Sequence, residues 1–143
     1  MSLPKPQPGL VVAYSYLWAD EHRKGAEEGR KNRPCAIIAA RRVIAGHEIV
    51  TVIPITHTHP ASPEDAVEIP ASLKAHLGLD HEPSWVVLTE TNDFLWPGSD
   101  LRSIPGKPRQ FTYGMLPPRF FAHIRDKLLR AHHRLQIRRV PRT

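Results

Sequence analysis

Two mostly apolar segments joined by a short turn set the strongest constraint on the fold of this chain. Residues 34–41 are almost entirely apolar, and residues 48–56 are rich in β-branched side chains. Both compositions favour β-strands. Between them, Ala45-Gly46-His47 supplies the glycine that a tight reversal needs. The sequence therefore predicts a central β-hairpin whose two strands are neighbours.

A cation and a hydroxyl flank the open end of this predicted hairpin. Arg33 comes directly before the first strand, and Thr56 is the last residue of the second strand. Because paired antiparallel strands meet at a common rim, we expect these two side chains to lie close together. A guanidinium can bind two phosphate oxygens at once, and a hydroxyl can bond to another. The sequence therefore predicts a phosphate-binding site formed by Arg33 and Thr56.

The remaining sequence predicts further short strands and two helices. A short helix over residues 70–77 ends at Gly78, and a C-terminal helix begins at Pro117-Pro118. Together these elements predict a mainly β fold, a small antiparallel barrel or strongly bent sheet, with a flat sheet covered by the C-terminal helix as the main alternative. The other strands are predicted at residues 9–18, 66–69, 85–89 and 93–96 and near Phe111, and the apolar face of the C-terminal helix at Phe120, Ile124, Leu128, Ala131 and Leu135.

Length and composition fit one domain over residues 1–143, with an extended lead-in over residues 1–7 and a basic tail over residues 134–143. The single cysteine, Cys35, excludes an internal disulfide, and its apolar strand predicts a buried, unreactive thiol. No apolar run is long enough for a signal peptide or a membrane span. We therefore expect a cytoplasmic protein without membrane contact.

Short motifs follow one another in a defined order between residues 8 and 133. They are Pro8-Gly9, Lys24-Gly25-Ala26-Glu27, Arg33-Pro34, Pro54-Ile55-Thr56, an acid at Glu90, and Gly114-Met115-Leu116. In this order the motifs resemble those of the MazF/PemK toxins, also called Kid, of type II toxin–antitoxin systems. The chain departs from that family in having His57 after Thr56, in a longer insert over residues 70–82, and in its tail.

The resemblance implies an SH3-like barrel that forms a homodimer and binds a cognate antitoxin protein. It implies a metal-independent endoribonuclease without a cofactor, which cleaves single-stranded RNA. In such a reaction the 2′-hydroxyl attacks the phosphorus and leaves a 2′,3′-cyclic phosphate and a 5′-hydroxyl end. The catalytic arginine and threonine of the family correspond to Arg33 and Thr56. A glutamate that serves as the base corresponds to Glu27 or Glu28, depending on the direction of counting.

Other residues are candidates for accessory roles in this chemistry. His57 can act as a general acid or base, since imidazole titrates near neutral pH. His57 and His59 share a face of an extended segment, but no cysteine or acid lies nearby in sequence at ligand spacing, and we predict no metal. Trp18 is a candidate for stacking on an unpaired base, with a core position as its alternative. The same two interpretations apply to Phe94 and Trp96. Three cations of the charged loop either bind the RNA backbone or form a solvated charge run, namely Lys24, Arg30 and Lys31.

The basic charge of the chain is concentrated near its C-terminus. The formal net charge is +6, and a single acid, Asp126, follows Pro117. The high isoelectric point therefore does not by itself predict that the body binds nucleic acid. The basic helix over residues 117–139 has two interpretations, a surface for RNA, the ribosome or an acidic antitoxin segment, or a solvated outer face. A competing function is a non-catalytic binding module on the same barrel, similar to the CcdB gyrase poisons.

Overall fold

The computed structural model describes residues 5–19, 32–42, 44–98, 101–134 and 138–141. It confirms a mainly β fold with a short internal helix and a C-terminal helix. In chain order, the elements are β1 (Leu10–Tyr14), β2 (Arg33–Arg42), a single 3₁₀ turn (Ile44–Gly46), β3 (Glu48–Thr56), β4 (Ala66–Glu68), α1 (Ala71–Leu77), β5 (Trp85–Val87), β6 (Glu90–Trp96), β7 (Thr112–Met115), α2 (Pro118–Arg134) and β8 (Arg138–Pro141).

The predicted central hairpin is confirmed as the pair β2 and β3. The two strands are antiparallel, with Cys35 opposite Pro54 at one end and Arg42 opposite Glu48 at the other. The reversal between them places Ala45 and Gly46 at φ values of 68° and 78°. Glycine adopts that left-handed conformation without steric cost, which explains why the turn is centred there.

Strand β3 pairs with two further strands besides β2. Its first half, from Glu48 to Val52, pairs with β6. Its last two residues, Ile55 and Thr56, pair instead with β5. In the described residues the strand order is β4-β5-β3-β2-β1-β7, with β6 joined to β3 and β8. The sheet therefore branches at β3, where β6 and β5 pair with successive parts of one strand.

Both faces of the central hairpin are buried, which accounts for its nearly continuous apolar sequence. On one face Ala36 and Ile53 pack in a cluster with Leu73 of α1 and Ile124 of α2. On the other face Cys35 and Val52 belong to a second cluster that contains four aromatic side chains, Tyr14, Tyr16, Phe94 and Trp96. The predicted burial of Cys35 is confirmed, and burial raises the pKa of its thiol.

The C-terminal region differs from the predicted continuous helix. Helix α2 ends at Arg134, and Arg138–Pro141 forms β8, which pairs in parallel with Glu90–Asp93 of β6. Val140 is buried against Leu17 and Ala19. The side chain of Val140 thus packs against the segment that follows β1. In the described part of the chain, no helix combines the length and the apolar character that a membrane crossing requires.

Candidate functional site

The register of the central hairpin brings Arg33 and Thr56 to the same edge of the sheet. Pairing of β2 with β3 reaches Cys35 opposite Pro54 at this edge, so continuing the register outward sets Arg33 opposite Thr56. Both residues line one cleft with a volume of about 520 Å³. The structure therefore brings together the two side chains that the sequence assigned to a phosphate site.

The cleft has a cationic side, a polar side and an apolar wall. The edge of β2 and β3 forms the cationic side. The loop 78–84 and His57 form the polar side, and segments near β7 form the apolar wall. The lining residues are Trp18, Asn32, Arg33, Pro34, Ile55, Thr56, His57, Thr58, Gly78, Leu79, Asp80, Ser84, Ile104, Pro105 and Tyr113.

The guanidinium of Arg33 is held against an aromatic ring. Its Cζ atom lies 5.0 Å from the centroid of the Trp18 ring, within the range of a cation–π contact. Its Nε atom is buried and has no hydrogen-bond partner among the described residues. A buried donor without an acceptor is unfavourable, so this N–H is a local cost in the structure.

The hydroxyl of Thr56 is oriented by its own backbone. Its Oγ1 accepts a hydrogen bond of 3.1 Å from the amide of Thr58, as in a hydroxyl-stabilised turn. A hydroxyl that accepts in this way still has its proton to donate. Thr56 can therefore donate that proton to an oxygen of a ligand in the cleft.

Trp18 is positioned by buried polar side chains on β6. The amide of Asn92 accepts from the backbone N–H of Leu17 and donates to its carbonyl, each at 2.9 Å. The carboxylate of Glu90 accepts from the backbone N–H of Ala19 at 2.9 Å and from the hydroxyl of Tyr16 at 3.3 Å. These bonds flank Trp18 on both sides and hold its backbone at the edge of the cleft.

His57 lies in a polar network with the loop 78–84. Its Nε2 is 2.8 Å from Oδ2 of Asp80, and its Nδ1 is 3.0 Å from the carbonyl of Pro83 and 3.1 Å from Oγ of Ser84. Both ring nitrogens are therefore engaged by the protein. In this conformation His57 connects the end of β3 to the opposite wall of the cleft.

Lys74 of α1 holds that wall from beneath. Its side chain is only 5% exposed, and its ammonium donates to Oδ1 of Asp80 and Oγ of Ser84, each at 2.7 Å, and to the carbonyl of Glu82. A buried ammonium needs such partners to offset its lost hydration. Partial burial raises the pKa of Asp80, but the Lys74 hydrogen bond and the charges of His57 and Lys74 outweigh it, so that pKa is lowered overall. The Asp80 carboxylate is therefore ionised at neutral pH.

Tyr113 contributes a neutral polar group to the apolar wall. The residue is on β7, beside β1, and lines the cleft together with Ile104 and Pro105. Burial raises the pKa of its phenol, and the charges of Cys35 and Asp80 add to that effect. The hydroxyl thus stays protonated and can donate a hydrogen bond.

The structure places some of the sequence candidates and not others. Arg33, Thr56, His57 and Trp18 line one cleft. The alternative interpretation of Phe94 and Trp96 as core residues is confirmed, because both are buried. Glu27, Glu28, Lys24, Arg30 and Lys31 lie outside the described residues.

Sequence reasoning missed the residues that surround Arg33 and Thr56 on the other sides of the cleft. Asp80 and Ser84 line it from the loop 78–84, Tyr113 lines it from β7, and Lys74 supports the loop from α1. No spacing in the sequence links these residues to Arg33. The sequence signal that was available is the lysine on the inner face of a short helix. Lys74 follows Leu73, and both side chains are buried.

A comparison with protein families finds one matching family model. The family model described as PemK-like, MazF-like toxin of type II toxin-antitoxin system matches residues 15–93. No curated protein matches the chain. The matched segment is more than half of the chain and contains Arg33, Thr56 and His57. The chain belongs to the PemK/MazF-like toxin family of type II toxin–antitoxin systems.

Proposed function

We propose that this protein is an endoribonuclease that cleaves single-stranded RNA without a metal or cofactor. The observation that carries the proposal is the convergence of Arg33 and Thr56 on one cleft at the edge of the β2–β3 hairpin. The 2′-hydroxyl of the RNA attacks the neighbouring phosphorus and displaces the 5′-oxygen. The products are a 2′,3′-cyclic phosphate end and a 5′-hydroxyl end.

Arg33 stabilises the negative charge that develops on the phosphorus oxygens. Its guanidinium offers donors in a planar fork that matches phosphate oxygens. Loss of one donor that stabilises a transition state costs about 10²–10³ in rate. The hydroxyl of Thr56 donates a hydrogen bond to another phosphate oxygen and helps to fix the in-line geometry of the attack.

The base of the reaction is assigned from the resemblance, and the departing 5′-oxygen takes its proton from the surrounding water. Glu27 or Glu28 takes the proton of the 2′-hydroxyl, since a carboxylate placed within hydrogen-bond reach can act as a general base. His57 acts as an accessory residue that sets the position of the wall beside Thr56, through its contacts with Asp80 and Ser84.

The RNA lies across the Trp18 side of the cleft. Single-strand binders combine aromatic rings for stacking with cations along the backbone. Trp18 is partly exposed beside Arg33 and supplies such a ring. Lys24, Arg30 and Lys31 neutralise neighbouring phosphates. We further propose a homodimer in the cytoplasm that is neutralised by a cognate antitoxin.

The test is an RNA-cleavage assay with purified protein in EDTA and a long unstructured RNA. We expect products with 2′,3′-cyclic phosphate and 5′-hydroxyl ends. Arg33→Ala should lower the rate by at least about 10²-fold while thermal unfolding is unchanged. Lys107→Ala, which removes an exposed cation outside the cleft, is the matched control and should cleave normally.

Two outcomes would contradict the proposal. Cleavage by Arg33→Ala at the normal rate would remove the assigned site. RNA binding without any product would favour the alternative, a non-catalytic module that binds RNA or the antitoxin, or a protein target as CcdB-like toxins do.

A further inference from the structure

Three side chains with metal-binding atoms converge at the polar side of the cleft. His57 follows β3, while Asp80 and Glu82 belong to the loop 78–84. The Nε2 atom of His57 lies 2.8 Å from Oδ2 of Asp80 and 3.7 Å from Oε2 of Glu82. One ligand atom from each residue lies within 4.8 Å of the others. We propose that these three residues bind a divalent ion of the zinc class, a site that does not depend on the ribonuclease proposal.

The spacing of the three atoms suits a small tetrahedral ion. Ligand bonds of about 2.0–2.2 Å place neighbouring tetrahedral ligands roughly 3.3–3.6 Å apart. The two distances from Nε2, 2.8 Å and 3.7 Å, lie on either side of that range. The side chains are 48%, 54% and 74% exposed, so each can shift by the small amount required. The exposed face leaves the fourth position to water.

The backbone orients His57 for such an ion. Its Nδ1 lies 3.0 Å from the carbonyl of Pro83, and a carbonyl can only accept a hydrogen bond. Nδ1 therefore carries a proton, and Nε2 points towards the two carboxylates. Metal-ligating histidines are fixed by the same device, a donor bond from the second nitrogen to a backbone carbonyl or a carboxylate.

Asp80 is supported on the side away from the site. Its Oδ1 accepts from the ammonium of Lys74 at 2.7 Å and from the backbone N–H of Glu82 at 3.2 Å. Oδ2 is thereby left for the ion. A divalent cation in place of the Nε2 proton faces Oδ2 of Asp80 and the carboxylate of Glu82.

The ligand set also selects the kind of ion. One imidazole and two carboxylates suit Zn²⁺ and its transition-metal neighbours. Mg²⁺ prefers an octahedron of oxygen atoms and retains its water. We therefore expect Zn²⁺ and Co²⁺ to bind and Mg²⁺ not to bind at comparable concentration.

The test uses the full chain without a histidine tag, in the absence of RNA. Isothermal titration with Zn²⁺ should show one ion per chain, and Co²⁺ should give a visible absorption spectrum of a low-symmetry site. His57→Ala and Glu82→Gln should each weaken Zn²⁺ binding by at least about tenfold, since even supporting partners of a ligand are worth that much. Glu82 is 74% exposed, so Glu82→Gln keeps the fold and leaves the His57–Asp80 contact in place.

His59→Ala and His81→Ala are the matched controls. Both histidines are exposed and close in sequence to the proposed ligands, but neither belongs to the cluster. Binding that is unchanged in these controls and weakened in the two ligand variants supports the site. Absence of Zn²⁺ binding, full binding by His57→Ala or by Glu82→Gln, or loss of binding in either control would overturn it. Because RNA is not used, failure here leaves the ribonuclease proposal untouched, and failure of RNA cleavage leaves the metal site untouched.

Discussion

Lys74 and Asp80 form an ion pair in which the ammonium is buried and the carboxylate is half exposed. The two atoms are 2.7 Å apart, and the side chains are 5% and 54% exposed. The lysine thus faces inward from α1, while the acid faces the cleft. This pair joins the folded core to the wall of the candidate site.

Substitution of Lys74 tests the contribution of that pair. We expect Lys74→Met to lower the free energy of unfolding by roughly 1–3 kcal/mol, because the buried hydroxyl of Ser84 loses its strongest partner. Chemical denaturation measures the change. Lys127→Met is the matched control, since Lys127 makes a single exposed bond to the carbonyl of Pro63. That control should stay within about 0.5 kcal/mol of the wild type. Equal effects of the two substitutions would show that Lys74 does not hold the wall.

Two substitutions separate the role of the Thr56 hydroxyl from the role of the shape of the Thr56 side chain. Thr56→Val removes the hydroxyl and keeps the branched side chain, so we expect RNA cleavage to fall by about 10²-fold with little change in stability. Thr56→Ser keeps the hydroxyl and should retain most of the activity. Single-turnover cleavage rates provide the measurement. If valine and serine variants cleave alike, the hydroxyl has no part in the reaction.

Trp18 should contribute to RNA affinity through its ring. Stacking of one base on an aromatic side chain is worth about 1–3 kcal/mol, so we expect Trp18→Ala to weaken binding of a short unstructured RNA and Trp18→Phe to weaken it less. Fluorescence anisotropy with the RNA measures both. Trp85→Ala is the control, because Trp85 packs against His59 and does not line the cleft. Equal losses for Trp18→Ala and Trp85→Ala would point to a loss of fold instead of a lost stacking contact.

The raised pKa of Tyr16 predicts that the free energy of unfolding falls at alkaline pH. Burial raises the pKa of its phenol above the ordinary value of 10.0, and the charges of Glu90 and Cys35 raise it further. Above that ordinary pKa the unfolded chain loses the proton while the folded chain keeps it. The stabilisation is therefore complete below about pH 10 and decreases as the pH rises, by up to about 1.4 kcal/mol per pH unit for one group.

Denaturation by urea between about pH 9 and about pH 11 measures this dependence. The variant Tyr16→Phe lacks the titrating group and should show a shallower decrease than the wild type. Its own stability is expected to be lower near neutral pH, because the hydrogen bond to Glu90 is lost. Parallel curves for the two proteins would exclude Tyr16 as the cause.

The sequence predicted those features that depend on neighbouring residues or on a single pairing. The hairpin followed from two apolar segments and one turn, and the meeting of Arg33 with Thr56 followed from the register of that hairpin. Helix α1 was predicted from Pro70 and Gly78, which do flank it, Gly78 with a φ of 71°. Each of these inferences uses local geometry alone.

The opposite wall could not be predicted in the same way. Asp80 and Ser84 contact His57 because α1 brings the loop 78–84 back to the end of β3. A sequence pattern does not show that course of the chain. Likewise β8 depends on long-range contacts, since it pairs with β6 and its Val140 packs against Leu17. Apolar spacing predicted the C-terminal helix, which is present, whereas residues 138–141 form a strand that the sequence did not predict.

The two sides of the cleft are held in different ways, and His57 connects them. Backbone pairing between β2 and β3 fixes the spacing of Arg33 and Thr56, whereas the far side depends on one ammonium beneath the loop 78–84. Residues of that loop that do not contact His57 can therefore be exchanged to reshape what enters the cleft while Arg33 and Thr56 keep their places in the hairpin. A designer who wished to redirect such a toxin would begin at Leu79 and leave the hairpin alone.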